Sequence, residues 1–432
     1  MKSTGEVAWT EQVPLTIVTS VKPGQVESLK RLLASMGQDP ASNPVIPFGE
    51  FSQVHFARFV VLDATQDLNA SAIQASLLLI GELDAPIDRF LDELITRSGA
   101  GLDRVYRHCE GYPDDALDPA QRRAYLLART VKPETYYVNT VGRSVEQIRG
   151  EAHLRDALEQ FIDRHGRDWK QLTPSQVRQR LRALVAADTS LRWAIGPRPR
   201  PGIAWRLRDA AELLGLPLAT LLLAPLILLA LPIALVLLRI HEVRDAAPHI
   251  RPVPAHVREL AALEDHGIQN QFSAIGFIKP GWFRRLTVLV VLLALNYSAR
   301  HLYSRGNLAG VRTIHFARWV TIDEGRRAIF ASNYDGSLES YMDDFIDRLS
   351  WGLNAVFSNG VGYPRTNWLF LDGAKDEEAF KDYLRVHQVP SLLWYSAYPG
   401  LTAVNIDNNA RIRAGLRGGM SEAEAEAWLR RI

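Results

Sequence analysis

A chain of 432 residues with 47% hydrophobic and 23% charged content has the composition of a globular protein of two or three domains, which excludes wholesale disorder. Lys and Arg number 50 against 48 Asp and Glu, and the net charge of +2 gives no general reason to expect a nucleic acid partner. Cys109 is the single cysteine, which excludes an internal disulfide and a cysteine-type metal cluster and fits a reducing compartment.

The opening MKSTGEVAWTEQVP has no apolar stretch behind its lysine and does not read as a cleaved signal peptide, which favours the cytoplasmic side. Residues 13–20 read as a first strand, apolar and β-branched, closed by Lys22-Pro23-Gly24. GQVESLKRLLASMG then reads as a soluble amphipathic helix. HFARFVVLD, from His55 to Asp63, is a second strand and SLLLIG a third. A helix starting near Pro86 carries Ile87, Phe90, Leu91 and Leu94 at helical spacing, and TYYVNT supplies a fourth strand.

An insert follows, about 166–265. Its run from Leu213 to Leu238 is 26 residues without a charge, long enough to cross a hydrocarbon core of about 30 Å. Pro217, Pro225 and Pro232 interrupt it, and Pro225 divides it into two arms that are each short for a span. Arginines flank both ends, Arg206 and Arg208 before it and Arg239 and Arg244 after it, so the positive-inside rule puts both flanks on one cytoplasmic side. A hairpin dipping into one leaflet and turning at Pro225 is the expectation.

From 266 the chain repeats itself. HFARWVTID, His315 to Asp323, matches the earlier strand at six of nine positions, 260 residues on. FSAIGFIKPG answers LTIVTSVKPG. The helical stretches that follow end in Gly-Tyr-Pro at 111–113 and 362–364, and Asp84 to Pro113 and Asp335 to Pro364 are both 29 positions. In this second copy a helix from Ser337 carries Tyr341, Phe345, Ile346 and Leu349, while the helix at 286–299 is apolar throughout. The predicted organisation is repeat 1 over 1–165, the insert over 166–265, repeat 2 over 266–420 and a terminal helix over 421–432. Two halves of one body must share a compartment, which a single crossing forbids; a re-entrant or in-plane segment or a second crossing satisfies it, and the uncharged core at 286–299 is short for a second span. The chain is therefore expected to be monotopic on the cytoplasmic face, with Leu213, Pro225, Leu238, Trp282, Leu289 and Leu293 at the lipid.

The order strand, helix, strand, strand, helix, strand in each copy is that of a ferredoxin-like unit. The expected fold class is α+β, two tandem units closing one pseudo-two-fold barrel. Over roughly 300 of the 432 residues this order and duplication resembles the dimeric α+β barrel superfamily with both halves fused. That superfamily includes small monooxygenases, chlorite dismutases and dye-decolourising peroxidases. The resemblance implies an oxidoreductase, with haem as the candidate cofactor. Ser332-Asn333-Tyr334-Asp335-Gly336 keeps the last two residues of the peroxidases' Gly-x-x-Asp-Gly signature, and Gly81 to Ala85 keeps its first Gly and the Asp.

Strand alternation puts His315, Ala317 and Trp319 on one face and Phe316 and Arg318 on the other, so either the histidines or the arginines line the interior. Candidate catalytic groups are His315, His55, Arg318, Arg58 and Asp335. Candidate substrate contacts are Trp319, Trp394, Tyr395 and Tyr398. Asp335, Glu339 and Asp343 fall at i, i+4 and i+8 and suggest a carboxylate stripe, with a solvated helix face as the plainer reading. Expected partners are the lipid bilayer and a lipophilic small molecule, taken from the leaflet into a pocket opening toward the 286–299 helix with His315 or His55 at its centre, with room for a homo-oligomer. A non-enzymatic binding or scaffold protein with a filled barrel is the alternative. No phosphate-binding loop, dinucleotide fingerprint or nucleophile-elbow motif occurs.

Overall fold

The computed structural model describes residues 8–113, 118–166, 169, 171–246, 248–303 and 306–432. Strands β1 (Gln12–Ser20), β2 (Val54–Leu62) and β3 (Ser76–Asp84) are rich in Val, Ile, Leu and Thr and pair antiparallel, with β3 central. Helices α1 (Val26–Gly37) and α2 (Ile87–Tyr106) pack on them, burying Leu29, Leu33, Phe90, Leu91 and Leu94. After α3 (Pro119–Ala128), β4 (Thr135–Val138) leads into α4 (Val145–His165) and α5 (Pro174–Ala187).

The long helix α6 (Ile203–Arg244) and the short α7 (Pro254–Ala261) then bring the chain to a second sheet. It consists of β5 (Gln269–Phe277), β6 (Ile314–Ile322) and β7 (Arg327–Asp335), with α8 (Trp282–Tyr297) and α9 (Leu338–Phe357) upon it. Helix α10 (Glu377–His387), β8 (Ser391–Ser396), α11 (Ala403–Gly415) and α12 (Glu422–Leu429) complete the chain. The fold is α+β, with two open four-stranded antiparallel sheets.

The fourth strands are exchanged. β4, from the first half, pairs with β6, setting Tyr136 opposite Arg318; β8, from the second half, pairs with β2, setting Trp394 opposite Arg58. Just before each crossing the chain still bonds its own half: Val131 N donates to Thr16 O at 2.8 Å and Val389 N to Ser273 O at 2.9 Å. The halves repeat one another's details. α2 loses helical geometry at Ser98 and α9 at Leu349, while Asn139 N donates to His315 O and Ala397 N to His55 O, both at 2.9 Å. Between the sheets, Val60, Leu62, Leu78 and Ile80 meet Val320, Ile322, Ile329 and Ala331. A separate core joins α4 and α5 to α11 and α12 through Leu154, Leu181, Val185, Ile412, Leu416 and Trp428.

The hairpin expected at Pro225 is not formed. α6 is one continuous helix of 42 residues, about 63 Å along its axis. Its three prolines each remove one ladder bond, but they lie about two turns apart, so the losses do not adjoin and the intervening turns hold. The helix middle stands clear of the body, with Leu222 81% and Leu229 74% exposed. Both ends are held. At the start Trp205 packs on Trp9 with ring centres 4.7 Å apart, and Tyr297 Oη donates to Leu213 O at 3.1 Å. At the other end the buried Glu242 accepts from Leu369 N at 2.7 Å and Thr366 Oγ1 at 3.0 Å, and His241 stacks on Phe283. α6 and the stretch of α8 and its continuing π-turn to Leu302 are both long and apolar enough to cross a membrane. Trp282, Leu213, Pro225, Leu289 and Leu293 are exposed, but Leu238, expected at lipid, is buried against Phe283 and Leu369.

Candidate functional site

Between the sheets both arginines lie inside, and the histidine rings meet the facing half near its end, His55 with its ring centre 5.3 Å from that of Phe316 and His315 5.4 Å from that of Phe56. Arg58 reaches from the first sheet to Phe272 O (2.9 Å), Ser332 O (2.8 Å) and Asn333 Oδ1 (2.6 Å) of the second. Arg318 makes the reciprocal reach to Leu15 O (2.8 Å), Gly81 O (2.7 Å) and the carboxylate of Glu82 (2.5 Å). Glu82 thus pairs with Arg318, while backbone carbonyls and the Asn333 amide oxygen satisfy Arg58. Burial lowers the Arg58 pKa to about 9; Glu82 opposes this and Arg318 adds to it.

Each histidine lies at a slip in its strand ladder, between Val54 and Phe56 or between Ile314 and Phe316. There the ring turns to a carboxylate at the end of the neighbouring strand. His55 Nε2 lies 3.0 Å from Asp84 Oδ1, and His315 Nε2 2.7 Å from Asp335 Oδ1. The second oxygen of each Asp caps a helix: Asp84 accepts from Val145 N at 2.9 Å, Asp335 from Ala403 N at 2.7 Å. A carboxylate only accepts, so each Nε2 carries a hydrogen; His55 Nδ1 is 2.9 Å from Tyr398 Oη. These are buried clips tying β2 or β6 to the helix after the fourth strand, and Asp335 is so used rather than in a stripe. Glu339 and Asp343 instead share Lys381 with Glu377.

The expected aromatic contacts separate. Trp394 donates from Nε1 to Asn333 Oδ1 at 3.0 Å and stacks on Phe56, Tyr395 stacks on Phe48, and Tyr398 meets His55. Trp319, on the helix-covered face of β6, borders a cavity. That cavity is about 440 Å³ and lies between the second sheet, α8 and α9. Phe330, Phe345, Leu353 and Phe357 line it, and neither His55 nor His315 does. Arg318 touches it, with its guanidinium bonded to the other sheet. No imidazole or thiolate in these walls is offered to a haem iron. The sequence pointed to a pocket beside the 286–299 helix but centred it on His55 or His315; the walls come instead from β4, β5, β6, β7, α8, α9 and α10. The available signal was the odd-numbered face of HFARW together with the apolar face of α9.

Cys109 is buried and takes a hydrogen bond from Thr19 Oγ1 at 3.3 Å; burial raises its thiol to about 11, which suits an inert core group. On the surface, His249, Glu378 and Asp382 place potential ligand atoms within 4.8 Å of one another. There His249 is paired to Asp382 at 2.7 Å and Glu378 to Arg251 at 3.2 Å. Comparison with family models, with curated protein sequences and with solved structures found no match to this chain.

Proposed function

We propose that this is a monotopic membrane protein of the cytoplasmic face, its halves two ferredoxin-like units clasped as one pseudo-two-fold barrel, which binds a lipophilic small molecule in the cavity beneath α8. One observation carries the reading: α6 and α8 each join strands of a single sheet. β4 precedes α6, β5 lies between the two helices and β6 follows α8, and all three belong to the second sheet. A crossing by α6, by α8 or by both would strand at least one of them across the bilayer. An in-plane seat keeps them together and covers the exposed leucines of α6, each worth about 1.5–3 kcal/mol when fully removed from water. Trp282, 70% exposed at the start of α8, suits the interface. The histidines, each clipped to a carboxylate, favour ligand binding over redox catalysis.

The test is flotation with phosphatidylcholine–phosphatidylglycerol vesicles. The native chain should float and resist alkaline carbonate, and the double substitution Leu222→Arg with Leu229→Arg should leave it in the soluble fraction. Cysteines placed at exposed sites in each half should be labelled from the same side of sealed vesicles. Labelling from opposite sides would overturn the in-plane seat.

A further inference from the structure

We infer that the cavity beneath α8 admits the hydrocarbon tail of a membrane lipid while the polar head stays outside; this rests on the membrane seat proposed above. The volume of about 440 Å³ lies within the usual range for small-molecule pockets, and the walls are predominantly apolar and aromatic. Of the polar side chains there, several are already spent on the protein. Thr135 Oγ1 donates to Leu292 O at 3.0 Å, Ser298 Oγ to Ala294 O at 2.8 Å, and Tyr341 Oη is 2.7 Å from Ser332 Oγ. No carboxylate, lysine or imidazole lines the walls. Tyr137 Oη and Arg318 Nε are wall atoms without a hydrogen-bond partner among the described residues, too few to replace the water that a headgroup drawn inside would shed, whereas an alkyl or isoprenoid chain sheds nothing it needs.

The position of the mouth makes the bilayer the source. Val290, Trp351 and Phe370 border the cavity and are 56%, 50% and 48% exposed, beside Leu289 and Leu293 on α8. Val291, Ala355 and Leu369 are wall residues that also pack with Ala234, Leu237 and Leu238 of α6. The chamber therefore continues the apolar surface of the helix that would lie in lipid. At Tyr303 it adjoins a polar hollow containing Arg300, His301 and Asn307, where a head can remain hydrated. The matching helix of the first half leaves no such use: Leu29, Leu33 and Met36 are buried in its core.

The experiment is photo-crosslinking of the full chain on vesicles of phosphatidylcholine that carries a diazirine either in mid-chain or on the headgroup. The mid-chain probe should modify α6 around Leu222 and Leu229 and also the cavity around Phe330 and Phe357; the headgroup probe should leave the cavity unmodified. Gly352→Phe should remove the cavity adducts and keep those on α6, because a Cβ at Gly352 meets only Leu349 Cδ2 at 3.9 Å and a larger group has room to enter. Ala294→Phe, on the exposed side of α8, serves as the second blocking variant should the first lose the helical circular dichroism of the native chain. Mid-chain adducts on α6 alone, cavity adducts from the headgroup probe, or cavity adducts that survive both blocking variants would each overturn the tail site and leave the membrane seat standing. Absence of adducts on α6 would overturn both.

Discussion

The two halves share a framework and differ in where they keep charge. In the first, Asp103 holds the Tyr112 hydroxyl and is paired with Arg122 at 2.7 Å. At the corresponding place in the second, the amide of Asn354 accepts from Tyr363 Oη and Ala374 N, both at 2.8 Å, and donates to Phe370 O at 2.9 Å. The interior repeats the contrast, with Glu82 answering Arg318 and Asn333 answering Arg58. Helix α1 keeps Lys30 and Arg31 among its residues, whereas α8 beyond Arg285 is uncharged to its end. One architecture can thus be fastened by ions or by amides. The amide at Asn354 lies behind the exposed Trp368–Phe370 turn, on the side proposed to meet lipid, where an imperfectly paired charge is expensive.

The sharpest way to break this comparison is at the buried carboxylate. Glu82→Gln leaves the buried Arg318 guanidinium without its ion pair and removes a charge that also supports Arg58, and should cost about 3–5 kcal/mol in denaturant unfolding of the detergent-solubilised protein. Asn333→Ala should cost less, about 1–3 kcal/mol. Equal losses would mean that the halves do not differ as described.

Acid provides the next test. The Arg122 guanidinium holds Asp103 below the usual carboxylate range, with Tyr112 reinforcing it against burial. Its stabilisation is complete above the unfolded value, near pH 4, and is lost as pH falls through the lower folded value. Asp103→Asn should flatten that acid limb in melts taken between pH 5 and 2, and Asn354→Ala should leave its shape unchanged. The smallest effect belongs to the matched helix caps. Ser144 accepts from Gln147 N at 3.2 Å and Thr402 from Asn405 N at 3.0 Å, so Ser144→Ala and Thr402→Ala should each cost about 1 kcal/mol. A cap worth several times its counterpart would show that the environment, rather than the local motif, sets the value.

Most elements were legible in the chain because their signals are local. HFARFVVL and IHFARWVTI are runs of aromatic and β-branched residues, Ser337 caps α9, and the helix from Pro86 carries its apolar spacing. Alternation narrowed the interior to His or Arg. Both in fact meet the facing half, because strict alternation fails at the ladder slips beside His55 and His315, which no propensity announces. The exchange of fourth strands was illegible for another reason: TYYV and SLLWYS are both apolar and aromatic, and either would satisfy either sheet. Pro225 was read as a turn from its behaviour in water, whereas lost ladder bonds spaced two turns apart leave a helix whole. The carboxylate and amide alternatives at 103 and 354 were visible as letters, but their equivalence depends on the partner tyrosines and the turn that each one holds.

The strand exchange sets an order of manufacture. β2 emerges early from the ribosome, yet its outer edge is paired only when β8 arrives, after α6 and α8 have been made. A nascent chain therefore exposes an unpaired strand and its greasiest helix together, and a membrane surface nearby gives the helix a place to settle before the edge is covered. For the same reason neither half should be expressible alone as a finished unit: each would lack the strand that the other supplies.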